Sequence, residues 1–289
     1  MTDLLKDIRY GCRMLLKSPG FTLVAVVSLA LGIGFNTTIF SAVDAVLLRP
    51  KAGVDPSRLV EIYLGDSSGY AYGVSSYPDL REYRERSDAF SAIAANQSAL
   101  VLYRAGADTT TSEYLMGEIV SGNFFDLMGI SPSLGRLLRS DDDVEPGGHP
   151  VVVVSHVFWQ GRLGGRLDVL GETLDLNGHS FTLVGVAPPD FVGNFPGLLS
   201  NFWVPSAMVD QMNPSLTGSR LLRRTSRSLF VKARLKAGTS LEQAQAQMDA
   251  VAIQLQEEFP DANRDRSITF STRRRPNVSR ACRRSRRHQ

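Results

Sequence analysis

The most constraining feature of the sequence is a long run without charge near its amino terminus. Between Lys17 and Asp44 lie 26 residues with no Asp, Glu, Lys or Arg, and from Phe21 the centre of the run reads FTLVAVVSLALGIGF. A helix rises about 1.5 Å per residue, so this run can cross a hydrocarbon core roughly 30 Å thick. A buried core helix seldom lacks a polar face over such a length, and no clear signal-peptidase site follows the run. We therefore predict a retained transmembrane helix over residues 19–46.

The flanking charges predict how this helix is oriented. Four basic residues precede the run: Lys6, Arg9, Arg13 and Lys17. Only Arg49 and Lys51 follow it closely. Because positive residues stay on the cytoplasmic side, we expect a single-pass protein of the plasma (inner) membrane with a cytoplasmic amino terminus and an extracytoplasmic main domain. Residues 1–18 have adjacent apolar and basic faces, which suits a cytoplasmic amphipathic segment on anionic lipid or a helix packed on other protein.

Small residues within the run indicate partners in the membrane. Ser28 and Gly32, then Ala30 and Gly34, are spaced four apart. Such pairs let another helix approach closely, although the pattern is common by chance. Other transmembrane helices are therefore expected partners of this one.

The rest of the chain alternates between strand and helix patterns. Strands are predicted at residues 59–64, 98–104, 114–120, 151–154, 228–236 and 267–270. The clearest signal is a hairpin over residues 173–186, in which Asn177-Gly178 supplies a type I′ turn. Helices are predicted at residues 77–86 and 240–259, the second opened by a Thr239–Glu242 capping box. This irregular interleaving predicts an α+β domain of mixed sheets and helices over residues 47–271.

The charge of the chain is unevenly distributed. The net charge is +3, yet residues 272–289 hold eight arginines and no acid, which leaves 24 basic and 29 acidic residues elsewhere. The main domain is therefore slightly acidic, and no nucleic-acid partner is expected. Residues 272–289 are predicted to be a basic, disordered and non-native tail, because they hold too little apolar surface to fold.

Motifs of catalysis are absent or weak. The sequence contains no P-loop, no H-E-x-x-H and no C-x-x-C, and its two cysteines, Cys12 and Cys282, are far apart. One G-x-S-x-G motif is centred on Ser67, but the residues after it begin a helix poorly, so a polar turn is the favoured interpretation. Ser155 and His156 are adjacent, which points their side chains apart and favours structural roles.

Candidate ligand-binding residues also have simpler interpretations. The acidic run Asp141, Asp142, Asp143 and Glu145 lacks EF-hand spacing, so a solvated loop is expected rather than a calcium site. His149 and His179 are expected to be exposed. A basic stretch could meet an anion or a lipid headgroup but is expected to form a solvated loop and strand face; it includes Arg220, Arg223, Arg224 and Arg227. We accordingly assign no catalytic, cofactor-binding or metal-binding residue, and we predict that the protein is not an enzyme.

Three stretches together resemble the MacB/FtsX-like permeases of ABC transporters, in particular the duplicated orphan permeases. Residues 7–40 read DIRYGCRMLLKSPGFTLVAVVSLALGIGFNTTIF and residues 118–138 read EIVSGNFFDLMGISPSLGRLL. Residues 151–191 read VVVVSHVFWQGRLGGRLDVLGETLDLNGHSFTLVGVAPPDF. The resemblance implies a first transmembrane helix, then an extracytoplasmic MacB-like core domain with two α+β lobes. It also implies export or mechanotransmission driven by a cytoplasmic ATPase subunit, other permease helices in a dimer, and no catalytic residues; it does not imply the substrate.

The sequence departs from that family after Phe270. Where relatives lead into a second transmembrane helix, it reads STRRRPNVSRACRRSRRHQ, with no second apolar run. We interpret the chain as a membrane-anchored amino-terminal portion of a permease, truncated before its remaining helices. The alternative is a single-pass membrane protein whose outer domain is a stand-alone binding or adaptor module, and an enzyme is the third class.

Overall fold

The computed structural model describes residues 19–43, 58–104, 112–195, 197–213 and 219–272. The predictions for residues 1–18, for the end of the apolar run at 44–46 and for residues 273–289 lie outside these ranges. The chain divides into two compact units, Met1–Pro50 and Lys51–Gln289.

The first unit contains a single described helix, α1, from Pro19 to Val43. Its 25 residues include no charged side chain. Large apolar side chains are exposed along it: Leu23, Val24, Val26, Val27, Leu29, Leu31, Ile33 and Phe35. Added Cβ atoms at Gly32 and Gly34 would meet nothing within 4 Å. Within the ranges given above, no helix meets the length and hydropathy required of a membrane span.

The second unit is built from ten described strands and six described α-helices. The strands are β1 Leu59–Asp66, β2 Phe90–Arg104, β3 Ser112–Val120, β4 Leu134–Gly135, β5 Val151–Val154, β6 Thr173–Leu176, β7 His179–Val186, β8 Phe202–Pro205, β9 Phe230–Leu235 and β10 Arg266–Thr272. The helices are α2 Tyr77–Arg86, α3 Phe124–Met128, α4 His156–Arg162, α5 Val209–Met212, α6 Leu241–Glu258 and α7 Pro260–Asn263. Two 3₁₀ turns cover Ser140–Asp143 and Ser206–Met208.

The described strands form one connected, mixed sheet in the order β10-β1-β9-β2-β3-β8-β5-β7-β4. The pairs β3–β8 and β5–β7 are parallel, and the others are antiparallel. Because β6 pairs with both β7 and β2, the six strands β2, β3, β8, β5, β7 and β6 close a circuit. The mixed α+β architecture is thus confirmed, whereas the predicted division into two lobes finds no support in this single connected sheet.

The buried side chains form two clusters on opposite faces of the sheet. Successive strand residues point to opposite sides, so Val152 and Val154 of β5 join the larger cluster and Val153 joins the smaller. On β8, Trp203 joins the smaller cluster while its neighbours join the larger. Helices α2, α4 and α6 pack on the larger cluster, and α3 packs on the smaller. The sheet is therefore covered on both faces.

The β6–β7 hairpin has the predicted turn. Asn177 and Gly178 have φ angles of 55° and 81°, as a type I′ turn requires. The Asn177 side chain also accepts a hydrogen bond from the backbone N–H of Leu102 at 2.8 Å and donates one to the carbonyl of Met212 at 3.0 Å. The turn residue thus ties the hairpin to β2 and α5.

Helix α6 begins one residue later than its predicted capping box implies. The N-cap is Ser240, whose hydroxyl accepts from the Gln243 N–H at 3.2 Å, while the Gln243 side chain accepts from the Ser240 N–H at 2.9 Å. Thr239 instead donates its N–H to the carbonyl of Lys236, and Gly238 has a φ of 84°. This turn occupies Thr239, so the predicted Thr239–Glu242 box is wrong by one position.

Four strands, β1, β2, β3 and β10, are longer than predicted, and β2 and β10 differ most. β2 begins at Phe90, eight residues before the predicted start, because its first half is rich in small and amide residues that favour strands weakly. β10 continues through Thr272, with Ser271 paired to Glu61. The predicted boundary between domain and tail therefore falls inside this strand.

Strand β10 lies at one edge of the sheet and is covered by α6. The carbonyl oxygens of Arg266 and Ile268, two residues apart, accept hydrogen bonds of 2.7 Å from the side-chain amides of Gln256 and Gln245. The opposite edge is the two-residue strand β4.

Candidate functional site

The G-x-S-x-G segment forms a turn, as expected. An oxygen of the Asp66 carboxylate accepts hydrogen bonds from the N–H groups of Ser68 at 3.0 Å and Tyr70 at 3.3 Å, and Gly69 has a φ of 91°. Helix α2 begins only at Tyr77. Ser67 is therefore an exposed turn residue and lacks the strand-to-helix geometry of a nucleophile elbow.

Ser155 and His156 have the structural roles expected of them. The Ser155 hydroxyl caps α4 by accepting a hydrogen bond from the Phe158 N–H at 3.0 Å. The His156 ring instead packs edge-on against Trp159, with 5.3 Å between ring centroids. His149 and His179 are exposed, as predicted.

The acidic run is not the solvated loop that we expected, because Asp142 is buried. Its carboxylate makes two parallel hydrogen bonds with the Arg136 guanidinium, at 2.6 and 2.8 Å, and accepts a third from the Arg139 N–H. Burial tends to raise the pKa of Asp142, but these hydrogen bonds and the Arg136 charge outweigh it and hold the pKa below its usual value. Among the residues of the described ranges, no three His, Cys, Asp or Glu side chains are placed to hold a metal ion.

Asp143 joins two chain segments that are distant in sequence. Its carboxylate accepts hydrogen bonds from the Gly122 N–H at 3.0 Å, the Ser206 hydroxyl at 2.6 Å and the Ala207 N–H at 2.6 Å. Burial raises the pKa of Asp143 even though these hydrogen bonds favour the ionised form. The loop therefore serves as a structural tie between the end of β3 and the end of β8.

The basic stretch is solvated only in part: Arg223 is exposed, as expected, whereas Arg224 and Arg227 lie against acidic side chains. Arg224 donates to the carboxylates of Asp79 at 2.7 Å and Glu82 at 3.1 Å, and its guanidinium lies 3.7 Å from the centroid of the Phe259 ring. Arg227 lies beside the same group, with its Nε 3.9 Å from a carboxylate oxygen of Asp79. Asp79 is fully buried. We call Asp79, Glu82, Arg224, Arg227 and Asn263 the Asp79 cluster; it ties α2 to residues 219–229 and to α7.

Strand β9 places two further basic side chains in the interior. Lys232 is 5% exposed and pairs with Glu61 on β1 at 2.6 Å. Arg234 is 8% exposed and donates to the carbonyl of Leu127 near the end of α3. We expected this basic strand face to be solvated. The strand is present, but Lys232 and Arg234 are buried because both faces of the sheet are covered at β9.

Sequence reasoning missed the buried carboxylate of Glu118 on β3. One oxygen accepts from the Asn194 N–H at 2.8 Å and the Ser200 hydroxyl at 2.6 Å. The other accepts from the amide side chains of Asn96 at 3.2 Å and Asn194 at 3.1 Å. The only sequence signal was one acid inside the otherwise apolar stretch 114–120, which does not reveal its partners.

A shallow cleft lies beside these loop residues. It has a volume of about 50 Å³ and opens to solvent, between α4 and residues 189–192 and 199–201. Val157 and Leu199, both exposed, line it together with Phe191 and His156. Apolar walls with a few polar groups suit binding. Ser155 and Ser200 on its wall are already engaged as a helix cap and a carboxylate partner, so the cleft offers no activated nucleophile.

Comparisons with known proteins agree with this architecture. The macrolide export ATP-binding/permease protein MacB of Aggregatibacter actinomycetemcomitans is 29% identical over 129 residues, which is 45% of this chain and 19% of that protein. The match therefore spans less than a fifth of the length of that relative.

Two solved structures share the fold. The periplasmic region of MacB from Actinobacillus actinomycetemcomitans is similar with a TM-score of 0.51 at 15% identity, over 86% of this chain and 96% of that one. The extracellular domain of the noncanonic ABC-type transporter YknZ from Gram-positive bacteria gives a TM-score of 0.52 at 13% identity, over 73% and 99% of the two chains.

A family model matches residues 22–251, which is most of the chain, and it describes the MacB-like periplasmic core domain. The match includes strands β1 to β9, helix α2 and the connection at residues 187–201, but not β10. The expected resemblance to MacB-type permeases is confirmed, and this protein belongs to the family of MacB-like periplasmic core domains.

Proposed function

We propose that this chain is a membrane-anchored component of an ABC-type permease, working in export or mechanotransmission through its extracytoplasmic domain. The family match over residues 22–251 is the observation that carries the proposal. In this role the domain follows one transmembrane helix, is driven by a cytoplasmic ATPase subunit, and works beside other permease helices in a dimer within the lipid bilayer. No nucleic-acid partner is proposed.

The anchor itself is α1. Its uncharged sequence and its many exposed apolar side chains suit lipid or other helices better than water. The basic residues before it favour a cytoplasmic amino terminus. The test is labelling of intact cells with a membrane-impermeant thiol reagent, in a background where Cys282 is replaced by serine. Cys12 should stay unlabelled and a cysteine introduced at exposed Ser67 should react; labelling of Cys12 alone would contradict the proposed orientation.

The dependence on a separate ATPase is tested with nucleotide. The sequence has no phosphate-binding loop, so the purified chain should neither bind nor hydrolyse ATP. When the chain is co-expressed with its ATPase subunit, the two proteins should co-purify from solubilised membranes. Saturable ATP binding at micromolar concentration by the chain alone would contradict the proposal.

We also propose that the chain is not an enzyme. Ser67 in its turn, and Ser155 in its helix cap, lack the geometry of a catalytic serine. A hydrolase activity that Ser67→Ala abolishes would overturn this part of the proposal.

The cleft beside α4 favours a second candidate function, that of a binding or adaptor module acting without an ATPase. Its apolar walls are the supporting observation. Function in cells that lack every ATPase partner would favour this candidate over the permease component.

A further inference from the structure

Residues 187–201 form a long connection with no helix or strand among its described residues. They join β7 to β8, which lie on either side of β5. Loops of this length without secondary structure of their own are uncommon in compact domains and are often functional. What holds this loop in place is therefore informative.

The centre of the loop is held by one carboxylate. Two points of the loop that are six residues apart, Asn194 and Ser200, both donate hydrogen bonds to the fully buried Glu118. Gly193 fits closely against the same group: its φ is 111°, and an added Cβ would lie 2.6 Å from a Glu118 carboxylate oxygen. Hydrogen bonds to an ionised acceptor are stronger than neutral ones, so this carboxylate is the main anchor of the segment.

Apolar packing anchors the loop mainly through two aromatic side chains in its first half. Phe191, at its start, is buried in the smaller cluster, and Phe195 packs edge-on against Phe230, with 5.1 Å between ring centroids. By contrast Val192, 38% exposed, and Leu199, 63% exposed, gain little from burial. If the carboxylate contacts were lost, packing between residues 197 and 201 would not replace them.

Glu118 also lies at one of the shortest strand pairings in the closed circuit of strands. Glu118 pairs with Trp203 in the parallel β3–β8 ladder, which comprises three residue pairs. Asn201, at the end of the loop, adds two hydrogen bonds to the carbonyl of Met116 on β3, at 2.8 and 3.1 Å. The loop, the carboxylate and the strand junction thus form one connected unit.

We infer that Glu118 is a positioning residue that latches the part of the loop between Phe191 and Asn201 across the β3–β8 junction, so that this part can be released while the sheet stays folded. One group supplies the contacts at both points, so its loss frees both together. The inference goes beyond the proposed function and does not depend on it, because it concerns how this domain opens locally, whatever drives it.

Hydrogen exchange measured by mass spectrometry on the full chain in detergent tests the latch. In Glu118→Gln the side chain keeps its shape, but its new NH₂ group faces the hydrogen-bond donors of the loop instead of accepting from them. Exchange in peptides covering residues 192–201 should rise about tenfold or more, the scale expected when hydrogen bonds to a charged group are lost. Exchange in β1, β5 and α6 should stay within about twofold of the parent.

The matched control is Asp79→Asn, which also neutralises a fully buried carboxylate. It should raise exchange in α2, α7 and residues 219–229 and leave the loop unchanged. A uniform rise across the domain in Glu118→Gln, or no rise in the loop, would overturn the inference.

A milder variant keeps the test decisive if Glu118→Gln does not fold. Ser200→Ala removes a single donor and should raise exchange several-fold in residues 192–201 alone. In a folded Glu118→Gln background, adding Ser200→Ala should raise exchange little further, because the two changes break the same contact. Independent, additive increases would show that no common latch exists.

Discussion

Replacing Arg224 with methionine would remove the central cation of the Asp79 cluster while keeping a side chain of similar length on the Phe259 ring. Arg224 is 11% exposed at its side chain and Asp79 is 1% exposed, so the variant leaves a buried carboxylate without its closest charged partner. Glu82 is affected less, since it keeps a second pairing with Arg86 at 2.8 Å.

The size of the effect follows from these contacts. Removing one partner of a buried ion pair costs about 3–5 kcal/mol when the remaining charge has no other support. Here Asp79 keeps the Ser76 hydroxyl at 2.7 Å and Arg227 at 3.9 Å, which places the expected loss near the lower end, about 3 kcal/mol. Arg224→Lys should show a smaller loss of unfolding free energy, because an ammonium keeps the charge but cannot bridge both carboxylates as a guanidinium does.

Urea unfolding of the full chain in detergent, followed by tryptophan fluorescence, measures the loss. The midpoint should fall by about 1 M or more with the slope unchanged, given slopes of about 1–3 kcal/mol/M. The matched control is Arg162→Met, whose pair with Glu113 is 2.6 Å long but largely exposed and should contribute about 0–1 kcal/mol. If Arg224→Met costs no more than Arg162→Met, the reasoning about burial is refuted.

Three further predictions concern acid stability, close packing and helix capping. The pKa of Asp142 is lowered, so its contribution is fully present above the unfolded value near 3.8 and is lost as pH falls through the folded value; Asp142→Asn should cost about 1–3 kcal/mol at pH 7 and show a smaller further loss on acid titration followed by circular dichroism. Gly185→Ala should destabilise by about 3 kcal/mol, because its Cβ would overlap a backbone carbonyl oxygen, whereas Gly161→Ala in α4, where nothing lies within 4 Å, should stabilise by about 0.5–1 kcal/mol. A Gly185→Ala variant as stable as the parent in thermal unfolding, or a destabilised Gly161→Ala variant, would contradict this. Ser240→Ala should cost about 1 kcal/mol and the same change at the preceding threonine less than about 0.5; equal losses in urea unfolding would restore the other capping box.

Local patterns predicted the elements whose signals are contained in a few neighbouring residues. The β6–β7 hairpin follows from its Asn-Gly turn, and α2 follows from its proline in the first turn and its helical spacing. Strand β8, Phe202–Pro205, escaped prediction because four residues bounded by a long loop carry almost no periodicity. The length of the patterned segment, more than the chemistry of its residues, separates the elements that could be predicted from those that could not.

The polar interior could not be predicted in the same way. Lys232 pairs with a carboxylate 171 residues away and Arg224 with one 145 residues away, so nothing near either residue in sequence reveals its partner. Glu118 is a similar case, because its loop partners lie 76 and 82 residues further along the chain. From its local sequence alone, an isolated charged residue is expected to face solvent. That expectation fails when a sheet is covered on both faces.

The two glutamines of α6 at the edge strand have a consequence for copies of this protein that meet one another. An uncovered edge strand offers free backbone groups that can recruit a strand from a neighbouring molecule, which is a route to aggregation. Here Gln245 and Gln256 already occupy two successive carbonyl oxygens of β10, and the far edge is only two residues long. Copies of this protein that meet therefore find few free backbone groups on β10 or β4 at which their sheets could join.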